Sequence, residues 1–193
     1  MRYLLLACLI FCFYRLYKAR GDIISFEEIY HTYTPEMFAP AALSELEEGT
    51  VYDYIEKYQG IAKRHHKTHG IPASISLAQG IIESRAGKSK LSEYGNHFGI
   101  KCFSKTCPTG HCRNFTDDHH KDFFRVFADP KQSWEAHALL LKGERYKMLY
   151  KLNKNDYLSW AEGLQQAGYA TDPRYAEKLN AVIERYHLYE FDR

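Results

Sequence analysis

A chain of 193 residues is long enough for one domain with a proper core plus extensions. Lys and Arg number 26 against 24 Asp and Glu, and this formal net charge of +2 is too small an excess to argue for a nucleic-acid partner. Tyrosine is abundant, with 16 Tyr beside 11 Phe and 2 Trp; exposed rings of this kind can stack on sugar faces, although most are expected in the core.

Arg2 precedes an apolar run from Tyr3 to Tyr14, and Arg15, Lys18 and Arg20 close it. About twelve apolar residues fall short of the roughly 20 that a membrane span needs, and they fit a signal-peptide core. No small-x-small cleavage site follows. Residues 1–20 therefore read as a signal peptide or as an uncleaved anchor whose basic flank snorkels to the interface. Both readings predict export to the periplasm or cell envelope, with the membrane touched only through this segment. Residues 21–49, with Pro35, Pro40 and the acidic Glu45, Glu47 and Glu48, read as a tether. Residues 50–193 remain for a globular domain, expected to be a monomer.

From Val51 to His69 the apolar positions Val51, Tyr54, Ile55, Tyr58, Ile61 and Ala62 recur at helical spacing, with lysines and Arg64 opposite. His65, His66 and His69 have no Cys or acidic partner at ligand spacing, so they read as surface or boundary histidines. A second helix follows Pro72, whose missing N–H suits a first turn. Ile75, Leu77, Ala78, Ile81 and Ile82 leave it no wide solvated face, so it should cross the core. Gln79 and Glu83 lie at i and i+4, one above the other. A Glu at the end of a buried helix has its pKa raised by poor solvation, which a general acid requires. The same Glu could also serve in a helix-end salt bridge. Ala86 and Gly87 leave room beside it. In Asn96-His97-Phe98-Gly99-Ile100-Lys101 the apolar residues should anchor a cleft wall, while Asn96 can bind loop backbone.

Cys102, Cys107 and Cys112 are spaced by five. Export makes a disulfide the expected use; Cys107 with Cys112 would close a small turn, and a pairing with Cys102 is the alternative. His97 and His111 stand nearby, but the spacing is not that of a zinc finger, so no metal is assigned. Phe123 to Phe127 alternates as a short strand. Asp129-Pro130 caps a helix whose buried side is Trp134, His137, Ala138, Leu141 and Arg145. Asn155 or Asp156 caps the next, through Gln166, with Gly168 just past its end. Tyr169 sits in a loop before Asp172-Pro173 starts the last helix, placed to serve as a sugar platform, a hydrogen-bond donor, or a packing plug between helices.

Four stretches together carry a resemblance. They are Ser76-Leu77-Ala78-Gln79 with Glu83-Ser84; Asn96-x-Phe98-Gly99-Ile100-Lys101; Phe124-Arg125-Val126-Phe127 followed by Ser133-Trp134; and Ala167-Gly168-Tyr169-Ala170-Thr171-Asp172-Pro173-x-Tyr175. In this order, over roughly Tyr52 to Tyr189, they resemble the peptidoglycan N-acetylglucosaminidases of glycoside hydrolase family 73. The resemblance implies a mainly α, lysozyme-like domain with a small β-hairpin at the active-site cleft. It implies cleavage of the β-1,4 bond between N-acetylglucosamine and N-acetylmuramic acid in peptidoglycan glycan strands, with Glu83 as general acid and Tyr169 in the active site. Family members carry a second acid in a hairpin just ahead of the Phe-Arg segment, where Asp118, or else Asp117, stands here. Such a carboxylate could activate a water or stabilise a charged sugar; Thr116, Asp117 and Asp118 are also ordinary turn formers. The expected site is then Glu83, Asp118 and Tyr169 for catalysis, with Gln79, Asn96, Phe98 and Tyr175 on the substrate. Proton transfer and electrostatics suffice for this chemistry, so no metal or organic cofactor is expected. A lytic transglycosylase and a non-catalytic wall-binding module are the alternatives.

Overall fold

The computed structural model describes residues 47–102, 108, 110–115 and 122–193. The expected export segment, most of the tether, Cys107, Asp117 and Asp118 lie outside these residues. Five helices carry the domain: α1 (Glu48–His69), α2 (Ala73–Ser84), α3 (Pro130–Leu141), α4 (Tyr157–Gln166) and α5 (Tyr175–Arg185). One antiparallel hairpin pairs β1 (Cys112–Phe115) with β2 (Asp122–Arg125), Cys112 standing opposite Arg125. This is the mainly helical, lysozyme-like arrangement with a small hairpin that the four motifs imply. Among the described residues no helix is long and apolar enough to cross a membrane.

The centre is α2. Ten of its side chains, from Ala73 to Ile81 and Ser84, are buried, as a helix without a polar face requires. Its neighbours approach closely. A Cβ on Gly80 would lie 2.6 Å from the Tyr54 hydroxyl oxygen of α1 and 3.2 Å from the Trp134 ring of α3. Glycine in mid-helix costs about 1 kcal/mol against alanine, and here it lets two aromatic rings seat against the helix backbone. Trp134, fully buried, stacks on Tyr58 at 5.1 Å and meets Phe98 edge-on at 5.0 Å. The start of α2 is held from far along the chain. Both carboxylate oxygens of Asp192 accept hydrogen bonds from Ser74, at 2.9 Å from its N–H and 2.6 Å from its hydroxyl, satisfying a backbone donor that no helix carbonyl can reach.

The caps follow the local residues. Asp129 accepts from the Lys131 N–H with Pro130 behind it, and Asp156, not Asn155, accepts from the Ser159 N–H and hydroxyl. Two sequence expectations are corrected here. Pro72 is the cap residue of α2 and not its first turn. Arg145 does not continue the α3 stripe, because the helix ends at Leu141 and a 3-10 segment, Glu144–Lys151, resumes after Gly143. Of the two cysteine pairings left open, the one through Cys102 is present. Cys102 is joined to Cys112, with their Cα atoms 6.1 Å apart.

Candidate active site

Glu83 sits on the last turn of α2, and the chain turns sharply behind it. Arg85 and Ala86 both adopt positive φ, 51° and 50°, in a region that side chains with a Cβ disfavour. The turn is held by Ser84, whose hydroxyl donates to the Gly80 carbonyl and accepts from the Gly87 N–H at 2.8 Å. Partly buried, Glu83 loses solvation, and burial pushes its carboxyl up to about 6; the Tyr175 hydroxyl opposes this in part.

Behind Glu83 runs a chain of hydrogen bonds drawn from three helices. The Tyr175 hydroxyl of α5 donates to Glu83 Oε1 at 3.1 Å. The Gln79 amide of α2 donates to the Tyr175 oxygen at 3.1 Å. Gln79 Oε1 is 3.0 Å from His137 Nε2 of α3. The direction of the chain is set by its donors. With Gln79 donating to Tyr175, its carbonyl oxygen must accept, so His137 carries its proton on Nε2. Burial drives the His137 imidazolium down to about 3, with the neighbouring His65 adding to this, so the ring is a neutral donor at working pH. Phe98 stacks on that ring at 4.0 Å and 9°. Because Tyr175 occupies Oε1, the proton of the acid form belongs on Oε2. The network therefore leaves Oε2 as the oxygen that can carry the proton.

Tyr169 completes this face. Its ring stacks on Tyr175 at 5.5 Å and meets His137 edge-on at 6.2 Å. Burial, aided by the Glu83 charge, lifts its phenol well above the ordinary range, so it is a neutral donor. Its hydroxyl is buried and has no hydrogen-bond partner among the described residues. The loop that carries it is clamped by Arg145, which donates to the carbonyls of Ala167 at 2.6 Å and Gly168 at 2.7 Å.

The four expected substrate contacts are placed differently. Gln79 is fully buried, with both amide atoms engaged. Asn96 is 1% exposed and laces its own loop: its amide donates to the Ile100 and Arg125 carbonyls, and its oxygen accepts from the Ile100 N–H. Phe98 and Tyr175 are buried too. Gln79, Tyr175 and, through His137, Phe98 pack behind Glu83 and Tyr169, while Asn96 holds the neighbouring loop. The hairpin that would hold Asp118 is present, but the connection between its strands at 116–121 lies outside the described residues. His137 and Arg145 were missed as site residues. A lone histidine in an otherwise apolar stripe was the available signal for His137; the role of Arg145 depends on a loop 22 residues away.

Two clusters of described residues have metal-ligand chemistry. One is His65, His69 and Glu135, with His65 Nε2 3.0 Å from Glu135 Oε2. The acidic partner that spacing along α1 could not supply comes from α3, and Arg64 holds its other oxygen at 2.5 Å. The other is Cys102, His111 and Cys112.

Residues 59–188 match the mannosyl-glycoprotein endo-beta-N-acetylglucosaminidase family. The chain is 34% identical over 160 residues to the exo-glucosaminidase LytG of Bacillus subtilis, covering 77% of this chain and 55% of that protein. It is 32% identical over 154 residues to a probable N-acetylmuramidase of Lactococcus lactis, covering 72% of this chain and 34% of that protein. The crystal structure of a peptidoglycan hydrolase from Sphingomonas sp. A1 superposes with a TM-score of 0.61 at 29% identity, covering 72% of this chain and 91% of that one. The chain thus spans about half or less of the length of these two curated relatives. With the family matched over most of the described domain, the chain belongs to the mannosyl-glycoprotein endo-beta-N-acetylglucosaminidase family.

Proposed function

We propose that the protein is an exported peptidoglycan hydrolase that cleaves the β-1,4 bond between N-acetylglucosamine and N-acetylmuramic acid. The observation that carries this reading is Glu83, a carboxyl held near pKa 6 by burial and tied at one oxygen by Tyr175. Glu83 Oε2 gives its proton to the glycosidic oxygen as the bond to the anomeric carbon breaks. The sugar develops oxocarbenium character, and water completes the hydrolysis. Tyr169, stacked on Tyr175 and sensing the Glu83 charge, walls the site beside the acid. Asp118, carried on the hairpin connection, is the second carboxylate that activates the water or stabilises the sugar cation. The relatives' names support a wall glycan as substrate. Export rests on the apolar run behind Arg2.

A relative named as an N-acetylmuramidase favours a second reading, in which the other β-1,4 bond of the same strand is cut. Purified peptidoglycan is digested with the protein, with Glu83→Gln and with Asp118→Asn, and the borohydride-reduced products are weighed by mass spectrometry. Reduced N-acetylglucosamine ends that fall about 10²–10⁴-fold with Glu83→Gln support the glucosaminidase. Reduced muramic acid ends support the muramidase, and anhydro-muramyl ends a transglycosylase. Wall binding without soluble products makes the domain a binding module.

A further inference from the structure

At the edge of the hairpin, an imidazole stands beside two sulfurs that a disulfide does not need it for. Backbone hydrogen bonds help hold three residues there. The Cys102 N–H donates to the Phe123 carbonyl at 2.7 Å, and the adjoining Lys101 bridges to Phe124 of β2. Cys112 opens β1 opposite Arg125. His111 precedes it, its carbonyl accepting from the Val126 N–H at 2.9 Å and its N–H donating to the Pro108 carbonyl at 3.0 Å. One ligand atom from each of Cys102, His111 and Cys112 lies within 4.8 Å of the others, and His111 Nδ1 is 3.4 Å from Cys112 Sγ.

We propose that, with both sulfurs as thiolates, Cys102, Cys112 and His111 bind a divalent ion of the zinc class, with a water as fourth ligand. Zinc takes thiolate sulfur at about 2.3 Å and imidazole nitrogen at about 2.0–2.1 Å in a tetrahedron. The edges of such a tetrahedron are about 3.5 Å from sulfur to nitrogen and about 3.8 Å from sulfur to sulfur. The observed sulfur–nitrogen distance already has the first length. Two thiolates and an imidazole select zinc or cobalt over magnesium and calcium, which prefer oxygen donors.

The balance is simple. A phosphine reductant opens the disulfide by taking one oxygen equivalent from water, leaving two thiols and a phosphine oxide. The metal ion then displaces the two thiol protons, so binding strengthens as pH rises. Ion and disulfide are alternative ties, and both hold Cys112 at the start of β1 to Cys102, beside the Lys101 bridge to β2.

The test uses the full chain, reduced with a phosphine, stripped of metal by a chelator and titrated anaerobically with cobalt(II). The expected result is one cobalt per chain, with the visible bands of a tetrahedral ion and a thiolate-to-cobalt charge-transfer band, all removed by one equivalent of zinc. Cys112→Ser should lose the charge-transfer intensity, and His111→Ala should weaken binding by about tenfold or more. His111→Ala retains both cysteines, so it stays interpretable even if the serine variants fold poorly. Cobalt that binds without a thiolate band, that is bound equally well by His111→Ala, or that does not bind at all overturns the proposal.

Discussion

The environment of Glu83 has a thermodynamic signature that does not depend on any substrate. Its carboxyl is raised from 4.5 to about 6 by burial. A carboxyl whose folded-state pKa is raised binds its proton more tightly when folded, so stability falls as pH rises between the two values. Below about pH 4 the group is protonated in both states and costs nothing. Above pH 6 the folded protein holds a poorly solvated charge that the unfolded chain would solvate fully. A rise of about 1.5, at about 1.4 kcal/mol per pKa unit, makes this cost about 2 kcal/mol. Glu83→Gln has the same shape, cannot ionise, and retains an oxygen for the Tyr175 hydroxyl. It should therefore be more stable than the parent by about 2 kcal/mol at pH 8 and by almost nothing at pH 4. For a domain of this size that is a gain of roughly 4–8 °C in Tm at the higher pH. Urea unfolding of the two proteins across pH 4–8, followed by circular dichroism, measures it. A gain that does not vary with pH, or a Gln variant less stable at pH 8, would show that burial does not govern this carboxyl.

The hydrogen-bond chain and the loop clamp give three further tests. Tyr175→Phe removes the donor that lowers the Glu83 pKa; the acid form then persists to higher pH, and the alkaline fall in activity should move upward in a pH–rate profile. An unmoved limb would separate Tyr175 from the acid. His137→Leu leaves Gln79 Oε1 buried without a donor, which should cost about 1–3 kcal/mol in denaturant unfolding and lower kcat more than it raises KM. A variant with unchanged kcat would make His137 a packing residue only. Arg145→Ala loses two exposed hydrogen bonds to the Tyr169 loop; a stability loss of about 1 kcal/mol with a several-fold rise in KM is expected from unfolding and wall-digestion assays, and an unchanged KM would remove the clamp from substrate binding.

Helix periodicity and capping residues made most of the fold legible. The buried α2, the Asp129-Pro130 start and the strand ahead of it were each visible in short stretches, because those features depend on residues close in sequence. Arg145 was misplaced because spacing alone does not show that Gly143 ends a helix and permits a 3-10 segment. The acid was legible for the same local reason, since a Glu at the end of a core helix is desolvated wherever that helix packs. What surrounds it was not. Gln79, Asn96, Phe98 and Tyr175 were expected on the substrate, and all four are buried in the domain; spacing in sequence does not show which face a motif residue presents. The Glu135 partner of His65 and the joining of Cys102 to Cys112 likewise depend on which segments meet in space.

The bonds that assemble the acid are also distant along the chain. Tyr175 is 92 residues from Glu83, His137 is 58 from Gln79, and Asp192 is 118 from Ser74. Closing such loops is entropically costly and comes late relative to local helix formation. A partly synthesised or partly folded chain can thus possess the α2 helix and its Glu while lacking everything that raises the pKa of that Glu. If Glu83 is the proposed acid, it is competent only when segments from across the domain have docked together, and activity would report completion of the whole fold. On the proposed function, a nascent or damaged copy would carry the Glu and lack the acid.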